Sequence, residues 1–139
     1  MLTTTRLDIE DARTIIAAAR DKANDIGVPM CIAIADDSGN LIAFERMDGG
    51  KVTSITIATD KAYTAAAARK ATHEYGAASQ PGAPAYGINS AIGGRLMVVG
   101  GGLPVLSNGT VVGAIGVSSG TPAQDQVVAQ AGVDAFGGD

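Results

Sequence analysis

The chain has 139 residues, a formal net charge of −4 at pH 7, one cysteine, one histidine and no tryptophan. This length suits a single domain, and residues 1–139 read as one, with no internal repeat. Binding to a nucleic-acid backbone needs clustered Lys and Arg, whereas the ten basic residues here are scattered and only three Tyr and two Phe are available for stacking.

Cys31 has no second cysteine to pair with, which fits a reducing compartment. Residues 1–13 are polar and of mixed charge, without the apolar stretch of a secretory signal. No apolar run approaches the ~20 residues of a membrane span. The expectation is a cytoplasmic protein with neither membrane nor nucleic acid as partner.

Residues 8–26 form the first predicted helix, with Ile9, Ala12, Ile15, Ile16, Ala19, Ala23 and Ile26 at three- and four-residue steps. Asp8 is its expected N-cap and Gly27 its stop. Residues 30–35 read as a strand that is apolar on both sides and so covered on both faces. A turn at 36–40 leads into a second strand, 41–47, in which Ile42, Phe44 and Arg46 share one side.

A second helix is predicted over 52–70, with Ile55, Ala58, Ala62, Ala65, Ala66 and Arg69 on one side, and residues 71–78 extend it. Residues 79–86 are a Pro/Gly-rich loop, followed by a turn of helix to Ala91. Three further strands are expected at 95–99, 103–107 and 110–118, the last two joined through Asn108-Gly109, a strong hairpin signal. Thr121 caps a closing helix over 122–136 with Pro122 in its first turn. Tight turns between successive strands imply an α+β fold. Its mainly antiparallel sheet has about five strands with helices on both faces, a profilin-like three-layer arrangement.

Few groups in the sequence carry chemistry. Arg46 and Asp48 leave the second strand just before Gly49-Gly50; Arg46 suits a carboxylate clamp, or the two pair with each other or cap the next helix. Lys61 and Thr64 lie one turn apart among alanines, where a lysine serves either as a base of lowered pKa or as a side chain reaching for solvent. Gly101 and Gly102, and the small residues before Ser118, make neither a P-loop nor a dinucleotide fingerprint; they leave room for a helix, a subunit or a flat ligand. His73 is either solvated or a single axial ligand, and alone it excludes a multi-histidine metal site within one chain. The expected ligand-binding residues are therefore Arg46, Thr64, Gly101, Gly102 and His73, with Lys61, Asp48 and Ser118 as catalytic candidates and no metal ligands. Arg46, Asp48, Lys61 and Ser118 are expected to meet in one pocket.

In order and spacing, several segments together resemble the GlcG/HbpS-like family over nearly the whole chain. They are Ile32-Ala33-Ile34-Ala35-Asp36 leading through Gly39 to Leu41, Arg46-Met47-Asp48-Gly49, the run from Ile57 to Ala65, Gly101-Gly102-Leu103-Pro104, Gly109, Gly113-Ala114-Ile115-Gly116-Val117-Ser118, and Asp125 with Ala129 to Gly132 in the last helix. The resemblance implies a domain that assembles into dimers and larger oligomers up to octamers. It implies relatives that bind haem, relatives fused to a corrinoid adenosyltransferase, and relatives that accompany catabolic pathways.

Several haem binders of the family carry a histidine on the first helix; residues 8–26 here contain none, and Arg13, Arg20, Lys22 and Asn24 are the nearest polar groups. The leading expectation is an oligomeric small-ligand binder, with haem or another tetrapyrrole as ligand and no histidine ligation from that helix. The alternatives are a cofactor-free catabolic enzyme acting on a small carboxylate or carbonyl metabolite, and a structural partner of a pathway enzyme.

Overall fold

The computed structural model describes residues 1–137. Helix α1 (Ile9–Ile26) begins at a reciprocal capping box: the Asp8 carboxylate accepts from the Asp11 amide at 2.8 Å, and the Asp11 carboxylate from the Asp8 amide at 3.0 Å. Gly27, at φ 71°, closes the helix as expected. Strand β1 (Cys31–Asp36) is buried along its whole length, which matches its two apolar sides. It runs antiparallel to β2 (Leu41–Arg46) on one side and β4 (Thr110–Ser118) on the other. Strand β3 (Gly102–Ser107) completes the sheet, in the order β2-β1-β4-β3. Helices α2 (Thr53–Ala67), α3 (Thr72–Ala78) and α4 (Pro122–Phe136) make up the rest.

The fold is α+β and antiparallel, but the sheet has four strands rather than about five. The missing one is the segment 95–99. Its backbone is satisfied by a side chain instead of a ladder: Thr64 Oγ1 accepts from the Met97 amide at 2.9 Å and lies 3.1 Å from the Arg95 carbonyl. Two 3-10 turns, Ile88–Ser90 and Ile92–Gly94, precede it.

The sheet separates two cores. Ile32, Ile34, Ile115 and Val117 face α1 and α4, and meet Ile15, Ile16 and Val128. Cys31, Ala33, Ala35 and Ala114 face α2, whose Ala58, Ala62, Ala65 and Ala66 fill the other side. Alanine against alanine brings α2 close to the strands. Closest approach falls at Gly116, where a Cβ would strike the backbone of Ala58 and Ala62, so only glycine fits.

The apolar side expected of α2 holds at Ala58, Ala62, Ala65 and Ala66 and fails at its two ends, Ile55 and Arg69. Ser54, Lys61 and Thr64 are buried with those alanines, while Ile55 is exposed. The helix also stops at Ala67. Arg69 adopts φ 56° in the position where a helix commonly ends on glycine, with the Lys70 amide bonded to Ala65 O at 3.2 Å. A left-handed non-glycine residue costs roughly 1–2 kcal/mol. On β2 the register shifts between the pairs Ile34↔Ala43 and Ala35↔Leu41, leaving Ile42 as an extra residue. The bulge turns Ile42 towards the α1 side, whereas Phe44 stays with the alanine core.

One interaction joins the two layers. Lys61 on α2 and Asp125 on α4 approach from opposite faces of the sheet, and their side chains are only 1% and 3% exposed. Lys61 Nζ donates to Asp125 Oδ2 at 3.0 Å and to the Val117 carbonyl at 2.9 Å. The second carboxylate oxygen accepts from the Gly120 amide at 2.9 Å. Gly101 leaves the space for this contact: a Cβ there would sit 2.9 Å from both Lys61 Nζ and Asp125 Cβ.

Removing one member of a buried ion pair strands the other charge, at a cost of about 3–5 kcal/mol, whereas removing both charges is far milder. Urea denaturation should therefore show Lys61→Met losing about 3–5 kcal/mol, a large share of the roughly 5–15 kcal/mol of a typical domain. Lys61→Met/Asp125→Asn, which keeps an acceptor for Gly120, should recover most of that loss. A single variant within about 1 kcal/mol of wild type would contradict a structural role for the pair.

Candidate functional site

The carboxyl ends of β2 and β4 and the start of β1 lie at one end of the sheet. Cys31 pairs with both Arg46 and Ser118, so these three side chains share one row on the face that α2 covers. Ser118 is buried, and its hydroxyl lies 3.0 Å from that of Ser54 in the first turn of α2. Arg46 is exposed at the end of β2. Burial pushes the Cys31 thiol above its ordinary range, and the nearby Arg46 charge opposes this.

Lys61 joins this end of the sheet through the carbonyl of Val117, next to Ser118. Burial lowers its pKa, while the Asp125 charge and hydrogen bond hold it up. Gly101 and Gly102 flank it: a Cβ on Gly102 would sit 2.7 Å from the Lys61 carbonyl. This packing leaves no space for a substrate beside the ammonium. Lys61 is buried and paired here and does not reach for solvent.

The other sequence candidates lie elsewhere. Asp48 lines a separate depression of about 240 Å³ with Asn24, Pro29 and Met47, and makes no ion pair with Arg46 among the described residues. Neither caps α2, whose first turn has no side-chain cap. Thr64 is committed to the 95–97 segment. His73 is exposed on α3, close to Gly100. Asp60 binds Arg95 at 3.0 Å, and the Arg95 guanidinium lies over the Tyr63 ring at 3.9 Å.

Asp125, which the sequence places in the family pattern, was not named there as a site residue. Its signal was available: it belongs with Val128, Ala129 and Gly132 to the buried stripe of α4, just as Lys61 sits on the buried stripe of α2. Opposite charges on two apolar stripes call for each other.

A second concavity, about 470 Å³, runs between α1 and β2. Ile9, Ile16, Ala17 and Ala43 give it apolar walls, with Arg13, Arg20 and Glu45 among its polar groups. Arg20 Nη1 lies 2.9 and 3.2 Å from the two Glu45 oxygens, and Arg13 pairs with Glu10. The groove has room for a flat molecule and guanidinium groups for acidic substituents, but its walls offer no His, Cys, Met or Tyr to an iron atom. Among the described residues no cluster of three or more His, Cys, Asp or Glu is placed to hold a metal ion, and no helix is long and apolar enough to cross a membrane.

Comparison with known proteins accords with this architecture. A 15.0 kDa protein of the dhaT–dhaS intergenic region of Citrobacter freundii is 44% identical over 125 residues, which cover 90% of this chain and 88% of that protein. The crystal structure of protein ORFY from Klebsiella pneumoniae superposes with a TM-score of 0.96 at 37% identity, covering 99% of this chain and 94% of that one. A PduOC–haem complex superposes with a TM-score of 0.90 at 34% identity, covering 94% and 95%. Residues 7–134 match the family described as haem degrading protein HbpS-like, and with these likenesses in sequence and fold the chain belongs to the HbpS-like family.

Proposed function

We propose that the chain is a ligand-binding protein that holds a flat, acidic tetrapyrrole, haem by likeness to its relatives, in the groove between α1 and β2. The observation that carries the reading is the groove itself: apolar walls flanked by two guanidinium groups, on the helix where the family resemblance places the ligand. Apolar walls suit the face of a macrocycle, and Arg13 and Arg20 suit its propionates. Arg13 is bound only to an exposed glutamate, a pairing worth little and easily exchanged. The walls lack an iron ligand, so recognition rests on the macrocycle and its acids.

The enzymatic reading, with Lys61 as base and Arg46 as clamp for a small carboxylate or carbonyl compound, would require Lys61 to be released from Asp125. Nothing in the geometry favours that release.

The reading makes a spectroscopic prediction. Haemin and metal-free protoporphyrin IX should bind with dissociation constants within about tenfold of each other, a difference below about 1.4 kcal/mol. Arg20→Ala should weaken both, and His73→Ala neither. Haemin binding more than about 100-fold tighter than the metal-free ring, with a Soret shift lost in His73→Ala, would contradict it.

We also propose that the chain functions as a homo-oligomer. Val52, Tyr86, Ile92 and Val127 are large apolar side chains left exposed on the isolated chain. Light scattering at micromolar concentration should give at least twice the 13.8 kDa monomer mass. A monomer peak alone would refute this.

A further inference from the structure

A groove of about 460 Å³ lies at the turn end of the sheet, on no lining residue shared with the α1–β2 groove. It is bounded by residues 2–5, by Asp37 after β1, by Ser107 and Asn108 at the β3–β4 turn, and by Arg69 just past α2. Its size lies within the ~300–1,000 Å³ of small-molecule pockets.

The charges are unequally committed. The Asp37 carboxylate lies 2.8 Å from Arg6 Nε. Arg69 makes no ion pair among the described residues and is exposed. The groove therefore presents one uncommitted guanidinium, whose planar fork matches a carboxylate. Thr3, Thr4, Thr5, Ser107 and Thr110 line the same groove beside Leu2 and Val111, and each hydroxyl can donate and accept. Alcohol groups would satisfy them, whereas a hydrocarbon tail would bury them unpaired.

The backbone is a second, independent observation. Arg69 is held at φ 56°, where glycine would sit without strain. Strained backbone of this kind is often kept where a side chain is used.

We propose that this groove binds a small hydroxylated carboxylate, anchored by Arg69 and oriented by the surrounding hydroxyls. A phosphate dianion fits less well, because Asp37 stands in the same groove and a single free guanidinium opposes it.

The test is an amide-shift NMR titration of the full chain with gluconate, hexanoate and inorganic phosphate. Gluconate should give saturable shifts at Thr5, Ser107, Asn108 and Arg69 in the millimolar range, at least about tenfold tighter than either comparator. Arg69→Gln should weaken gluconate binding about tenfold or more. Arg69→Gly removes the guanidinium and also the backbone strain, so it should melt no lower than wild type while losing the same binding. The proposal is overturned if gluconate gives no saturable shift, if hexanoate or phosphate binds equally well, or if Arg69→Gly binds gluconate as tightly as wild type.

Discussion

The contact between Lys61 and Asp125 is a buried ion pair that ties the helix on one face of the sheet to the helix on the other. Each helix is amphipathic towards its own face of the sheet, and apolar packing alone would hold each layer without fixing how the two relate. A buried ammonium and a buried carboxylate tolerate little displacement, because either one unpaired in the interior is costly. Their bond sets α2 and α4 against the same point on β4, the carbonyl of Val117. The Gly120 amide on the second carboxylate oxygen then fixes the chain where β4 turns into α4.

Small residues are the condition for that contact. Gly101 admits the lysine, Gly116 admits the helix, and Gly102 leaves room for both the Lys61 carbonyl and Thr72. The glycines and alanines that in the sequence leave room for a helix, a subunit or a flat ligand are thus explained by close approach of protein to protein. The two grooves proposed for ligands lie outside this dense layer, on α1 and at the turn end of the sheet. This separation suits a binding protein, since the rigid part holds the shape and the grooves lie on its surface.

Much of the fold was legible because local chemistry and tertiary structure agree. The Asp8 box, the Gly27 stop, the Asn108-Gly109 turn and the Thr121-Pro122 start all appear where their residues place them. The fully buried β1 follows from its two apolar sides. The extra strand at 95–99 failed for a reason no pattern shows, since its backbone partner is the Thr64 side chain, more than 30 residues away in sequence. Ile55 misled because it shares a helical face with the buried alanines, yet it lies in the first turn of α2, where it is exposed and Ser54 is buried instead. The Ile42 side was lost to a bulge, which parity cannot anticipate.

The candidate site was legible by residue type more than by arrangement. Lys61, Ser118, Gly101 and Gly102 gather at one end of the sheet, with Arg46 in the same row as Ser118, while Asp48, Thr64 and His73 have separate surroundings. The α1–β2 groove depends on the meeting of a helix and an edge strand, which spacing along the chain does not show. It can be examined directly through the paramagnetism of ferric haemin, which broadens the signals of nearby amides. Haemin bound in this groove should broaden signals centred on residues 9–20 and 43–45 of labelled protein. Broadening centred on residues 72–78 around His73, or none above that of a metal-free porphyrin control, would contradict it.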